Sequence, residues 1–175
     1  MAFVVFMRGV NVGGHKTFRP ASVAQDLAAL DVVNVGAAGT FVVRKAIRPM
    51  ALRAELGKRL PFEADLMICS AREVLDLIAQ EPFPPARAGT EEMRRFVTVM
   101  PRHPQPIPRL PVDKPSGEEW QVRVVAVYGR FALSLWRRLG RSIVYPNEVV
   151  EKMFGVPATT RSWNTLLKIK AVLEG

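Results

Sequence analysis

Two short polar segments stand out against an otherwise apolar chain of 175 residues. The first is Arg8-Gly9-Val10-Asn11-Val12-Gly13-Gly14-His15-Lys16. An arginine closes an apolar run, and three glycines follow. Glycines let successive backbone N–H groups turn toward an anion without a Cβ in the way, and a guanidinium adds a planar, two-pronged partner for carboxylate or phosphate. The second is Thr159-Thr160-Arg161-Ser162-Trp163-Asn164-Thr165, which gathers hydroxyls, an arginine and an amide where a final helix should begin. A helix start offers free N–H groups and positive dipole character. The candidate ligand-binding residues are therefore Arg8, Asn11, Gly13, Gly14, Thr160, Arg161 and Asn164. Arg8 and Arg161 are expected to line one anion site between the two halves of the chain. Each segment also has a plainer role. The glycines suit a tight strand-to-helix connection, and Ser162 suits a helix cap.

The remaining catalytic inventory is thin. There are two histidines, His15 and His103, and one cysteine, Cys69. Three such side chains make no tetrahedral metal site, so no metal is expected. No phosphate-binding Walker loop, dinucleotide fingerprint or nucleophile elbow occurs, and no cofactor is expected. His15, beside Lys16 in the glycine loop, is the one candidate base near neutral pH; a solvated loop histidine is its simpler reading. Cys69 ends the apolar run Leu66-Met67-Ile68 and reads as core filler.

The elements that must position these residues follow from hydrophobic period and punctuation. Residues 2–8 read as a buried strand. Pro20 opens a helix over 20–30, with Val23, Leu27 and Leu30 at helical spacing. Val32–Val35 and Phe41–Val43 flank a hairpin turn at Gly36-Ala37-Ala38-Gly39. Pro49 starts a second helix with Leu52, Leu56 and Leu60 inward. Residues 64–69 form a strand, and Ser70 with Glu73 forms a capping box for a third helix to about Gln80, with Ala71, Val74, Leu75 and Ile78 inward. The order strand–helix–strand–strand–helix–strand is that of a ferredoxin-like unit. The fold class is accordingly α+β, with a ferredoxin-like subdomain over 1–80, a linker over 81–93, and a second, related α+β subdomain over 94–175.

In that second part, residues 95–100 read as a strand. Six prolines between Pro101 and Pro115 predict an exposed loop of polyproline character over 101–118, the most mobile internal segment. Residues 120–128 and 131–136 form a hairpin about a glycine-first turn at Gly129-Arg130. Asn147 caps a helix over 148–154 closed by Gly155, and Trp163, Leu166, Leu167 and Ala171 form the stripe of the last helix.

Lys and Arg number 25 against 16 Asp and Glu, a net charge of +9. The excess is spread: 9 against 5 in residues 1–69, 2 against 5 in 70–92, and 14 against 6 in 93–175. Such a charge favours anionic partners, but no block of like charges marks a dedicated nucleic-acid surface. The first ten residues lack a basic leader and a cleavage site, and the run 124–136 is too short to span a bilayer. A cytoplasmic protein without membrane attachment is expected, and the single cysteine fits a reducing compartment.

The segments Met7–Gly14 and Gly155–Leu167, together with Glu81-Pro82-Phe83-Pro84 and Gly140-Arg141-Ser142, resemble the signature of a bacterial family called domain of unknown function 1697. The resemblance spans nearly the whole chain. It implies an α+β fold of two ferredoxin-related subdomains and no particular activity. Two departures mark this sequence. Ala37-Ala38-Gly39-Thr40 stands where the family carries a polar Gln-Ser-Gly-Asn turn, and the proline loop replaces a central helix.

Three functions remain open. The first is binding of a phosphorylated or other anionic small molecule. The second is RNA binding, which needs exposed aromatics on a sheet; the early strands offer Phe3, Phe6 and Phe41, but their dense apolar neighbours argue for burial. The third is an enzyme acting on a phosphate-bearing substrate.

Overall fold

A computed structural model describes residues 1–11, 13–85 and 93–175. The expected linker at 81–93 falls largely outside the described residues. The chain is a mixed α+β protein, with two antiparallel sheets and five α-helices among the described residues. It divides into two compact units, residues 1–79 with 164–175, and residues 80–163. The final helix thus groups with the first unit, although a linear division places it in the second.

The first unit opens with β1 (Phe3–Arg8), α1 (Pro20–Asp26), β2 (Val32–Asn34), β3 (Thr40–Val43), α2 (Pro49–Arg59), β4 (Asp65–Ser70) and α3 (Ala71–Ala79). Its sheet order is β2-β3-β1-β4. The uninterrupted apolar run of β1 suits a strand buried on both faces. Phe3, Val5 and Met7 join Val23, Leu27, Leu52 and Leu56 in one core, while Val4 and Phe6, on the opposite face, are also fully buried. Cys69 is a buried thiol in no disulfide, opposite Val4, as expected of core filler.

Local signals are realised closely here. Ser70 and Glu73 form the reciprocal capping box, with the Ser70 N–H on Glu73 Oε2 at 2.7 Å and the Glu73 N–H on Ser70 Oγ at 3.2 Å. In α3 the inward residues are Val74, Leu77 and Ile78; Leu77 replaces Leu75, which is half-buried. The first helix is shorter than its period suggests. After Asp26 the chain tightens into a 3₁₀ turn, Ala28–Leu30, closed by the Leu30 N–H to Leu27 O bond at 2.8 Å. Asp31 then turns with φ +52, and Arg44 grips its carboxylate with two bonds of 2.8 and 2.9 Å. That reversal lets Val32 enter the sheet.

The second unit contains β5 (Arg94–Val99), β6 (Val112–Lys114), β7 (Val122–Tyr128), β8 (Phe131–Trp136), α4 (Pro146–Phe154) and β9 (Thr159–Ser162), with sheet order β6-β7-β8-β5-β9. Its element order differs from that of the first unit. The Gly129-Arg130 turn joins β7 and β8, with Gly129 at φ +55 and Tyr128 opposite Phe131. Gly155 closes α4 in the left-handed region. The last helix, α5 (Trp163–Glu174), follows β9 directly.

Three expectations for this half are corrected. The proline-rich stretch is not wholly loop, because Val112–Lys114 pairs with Val122–Val124 as an edge strand. Pro111 and Pro115 flank the paired residues, where a missing N–H removes no ladder bond. Residues 159–162 are a strand on β5, with Thr159 opposite Val99 and Ser162 opposite Phe96, rather than a lead-in to a cap. Asn147 does not cap α4. Pro146 occupies the first helical turn behind Tyr145, and the Asn147 carboxamide oxygen instead accepts a 2.9 Å bond from Thr160 Oγ1.

The edge strand β6 is held by charge and ring stacking. Arg123 donates to both Asp113 carboxylate oxygens at 2.7 and 2.8 Å. The Trp120 ring lies against two guanidiniums, Arg123 at 4.3 Å and Arg137 at 4.1 Å. The hydrogen bond from Arg123 holds the Asp113 carboxyl below its ordinary range, against the opposing effect of burial. A lowered carboxyl pKa stabilises the fold above the unfolded value, near pH 4, and that gain is lost as pH falls through the folded value. Asp113→Asn should therefore lower stability at pH 7 by up to about 1 kcal/mol, discounted for partial exposure. The difference from wild type should vanish progressively below about pH 4. Urea denaturation at pH 7 and pH 2.5 measures both; an unchanged difference at the two pH values would remove the ion pair as the cause.

Candidate functional site

The glycine loop begins where β1 leaves the core. Gly9, Gly13 and Gly14 have φ of +65, +58 and +77, and two non-glycine residues, Asn11 and Lys16, are held at φ +53 and +47. Such conformations cost free energy in residues with a Cβ and persist only where surroundings enforce them. The enforcement is visible. Asn11 Nδ2 donates to Ala37 O at 2.8 Å, and Asn11 Oδ1 accepts from the Phe18 N–H at 2.9 Å. Its backbone N–H reaches Lys16 O at 3.2 Å. Lys16 Nζ bonds Glu63 O at 3.1 Å. Asn11 thus ties the loop to the β2–β3 turn and positions the loop.

The same turn, Ala37-Ala38-Gly39-Thr40, packs against the end of β1. Gly39 lies so close to the end of β1 that a Cβ there would fall 2.7 Å from Val10 Cγ2 and 2.8 Å from Met7 Cβ. The Met7 N–H donates to Gly39 O at 2.8 Å. The turn therefore contributes backbone atoms, Ala37 O and Gly39 O, to the loop's support.

Between loop and turn lies an open cavity of about 500 Å³, lined by Asn11, Phe18, Arg19, Ser22, Asn34 and Ala37 among others. Asn34 lines it too, but its Oδ1 is buried away from solvent and has no hydrogen-bond partner among the described residues. Arg19 is exposed. The sequence reading did not single out Arg19, Ser22 or Asn34. They come together only because the loop folds back on the hairpin, and no local spacing announces that. Gly13 and Gly14 are exposed in the same loop. Arg8 pairs across the sheet with Asp65, Nη1 to Oδ2 at 3.5 Å.

The second polar segment serves its own strand. Thr160 Oγ1 lies 2.8 Å from Thr98 Oγ1 and donates to Asn147. Arg161 is 7% exposed. Its Nη1 donates to Thr159 Oγ1 at 2.7 Å and to Thr160 O at 3.0 Å. Burial pulls its guanidinium down to about 10, so it stays charged at neutral pH. Asn164 is exposed at the start of α5. Arg8 and Arg161 belong to different units.

Neither histidine sits in a metal cluster; no group of three or more His, Cys, Asp or Glu could hold an ion among the described residues. His15 is exposed, and His103 Nδ1 lies 2.7 Å from Gly129 O, tying the start of the proline-rich stretch to the β7–β8 turn. No described helix is long and apolar enough to cross a membrane.

The two arginines should respond differently to removal. Arg161→Ala deletes a buried, hydrogen-bonded guanidinium and should destabilise the protein by roughly 2 kcal/mol. Arg8→Ala breaks one long, half-exposed ion pair and should change stability by less than about 1 kcal/mol. Urea melts of the two variants decide; equal effects would deny Arg161 its structural role.

Residues 1–128 match the family described as protein of unknown function, DUF1697, so the Gly155–Leu167 signature lies beyond the matched region. No curated protein matches the chain. A solved structure of a conserved bacterial protein from Streptococcus pneumoniae is similar, with 20% identity, a TM-score of 0.54 and 98% of both chains covered. At that identity the likeness is one of fold. On the match over residues 1–128, the chain belongs to the DUF1697 family.

Proposed function

We propose that the chain binds a phosphorylated small molecule carrying hydroxyl groups, held at the glycine loop of the first unit. The observation that carries this reading is the cavity beside the loop. It sets an exposed cation, Arg19, beside the exposed hydroxyl of Ser22 and the loop residue Asn11. An anionic group needs the cation, and a ligand hydroxyl can bond Ser22. Gly13 and Gly14 offer backbone N–H groups in the left-handed region, Arg8 adds charge at the end of β1, and Asn11 keeps the loop in place. The sheet order β2-β3-β1-β4 and the element order of the first unit support a ferredoxin-like frame for it.

The RNA-binding reading needs aromatic rings displayed on the sheet. Phe3, Phe6 and Phe41 are 7%, 0% and 0% exposed, so those rings serve the core. The enzyme reading needs a positioned base, and exposed His15 has no side-chain hydrogen bond among the described residues to orient it. Binding without chemistry is therefore the reading supported best.

Thermal melting against inorganic phosphate, sugar phosphates, nucleotides and a short RNA tests it. A sugar phosphate or nucleotide at 100 times its Kd should stabilise the protein by about 2.7 kcal/mol. Arg19→Ala should leave the ligand-free melting temperature unchanged and abolish that rise. No rise with any phosphorylated ligand, or a rise fully retained in Arg19→Ala, would overturn the proposal.

A further inference from the structure

A second cavity lies wholly within the other unit, between the edge strand β6 and helix α4. Its volume is about 460 Å³. Pro108, Val112, Pro115, Val144, Val149 and Met153 supply an apolar lining. Three charged residues complete it: Lys114 from the end of β6, and Glu148 and Lys152 from α4. All three are exposed. Glu148 and Lys152 stand one helical turn apart, yet neither makes an ion pair among the described residues, and neither does Lys114. The cavity therefore combines an apolar lining with two unpaired ammonium groups and one carboxylate, a local charge of +1.

We infer that this groove binds a small amphiphile with an apolar body and a single negative charge, such as a medium-chain or aromatic carboxylate. The lining removes hydrocarbon from water at about 25 cal/mol per Å² buried. The ammonium groups fix the anionic end at the rim. Glu148 repels a second negative charge, so monoanions are favoured over dianions. A strand-adding peptide is a poor occupant, because β6 offers only three residues and Pro111 and Pro115 interrupt the backbone donors on either side. The volume suits a molecule of drug-like or fatty-acid size. The groove shares no residue with the cavity at the glycine loop, so the two sites stand or fall separately.

The test uses decanoate, decanol and decyl phosphate with the full chain, by titration calorimetry at low salt. Decanoate should bind at least about tenfold more tightly than decanol. At a pH where decyl phosphate is a dianion, it should bind more weakly than decanoate. Lys114→Glu and Lys152→Glu, both at exposed positions, should each weaken decanoate about tenfold or more while keeping the wild-type circular dichroism spectrum. Glu148→Gln should strengthen decanoate and narrow its preference over the dianion. Equal binding of decanoate and decanol, wild-type affinity in both lysine variants, or no decanoate binding would each overturn the inference. Should one variant misfold, the Glu148→Gln result decides: unchanged affinity counts against the site.

Discussion

Burial of β1 on both faces and pairing on both edges is the constraint from which the first unit's geometry follows. A strand with Val4, Val5 and Phe6 at zero exposure has one register, because a slip by one residue would exchange the sets facing its two core layers. Its end is therefore fixed at Arg8, opposite Asp65. The glycine loop departs from that fixed point, and the β2–β3 turn approaches it closely enough that only glycine fits at position 39. The unusual backbone at Asn11 and Lys16 is affordable because strand, turn and loop meet there. Rigid support next to strained backbone is how a scaffold holds a loop in shape.

The second unit meets the opposite difficulty, an edge rather than a centre. A three-residue strand between prolines has little intrinsic stability. It is kept in place from outside the backbone ladder, by Arg123 on Asp113, by Trp120 between two guanidiniums, and by Leu110 packed on the core that includes Val122, Val124 and Val149. The same shortness and the same prolines that make β6 a weak strand also protect an open sheet edge from pairing with other chains. The groove beside α4 follows from this arrangement, because prolines and valines there cover the core without filling the space to the helix.

Features set by neighbouring residues were legible in the sequence. Ser70 with Glu73, the turn at Gly129, the helix stop at Gly155 and the burial of Cys69 each depend on local chemistry. Features set by distant partners were not. Thr159–Ser162 carries only a weak strand signal, and becomes a strand because β5 lies beside it, 62 residues away in sequence at the Thr98–Thr160 pair. Asn147 has cap chemistry, but Pro146 takes the first helical turn, and Thr160 supplies the carboxamide with a partner. Among the candidate site residues, Asn11 was visible as a loop residue and Arg161 as a conspicuous cation. The partners that give them their roles, Ala37 O, Phe18 N and Thr159 Oγ1, were not.

The net charge of +9 has a structural use that its sign alone conceals. Many arginines satisfy backbone carbonyls at the ends of elements or at bends. Arg53 donates to Leu66 O at 3.0 Å, Arg59 to Glu55 O at 2.8 Å, Arg130 to Met100 O at 2.7 Å, and Arg137 to Trp120 O at 2.7 Å and also to Glu118 O. Unsatisfied carbonyls at strand and helix ends are costly when water is excluded. A guanidinium, with five donors on a long stem, can reach one while leaving its charge near solvent. Lysine makes a contact of this kind too, from Lys16 to Glu63 O. A surface whose arginines are tethered in this way presents fixed, scattered charges rather than a continuous basic track. In the two proposed sites, recognition of an anion would rest on cations that line cavities, Arg19 in one unit and Lys114 and Lys152 in the other, where an apolar or hydrogen-bonding wall would add selectivity to charge.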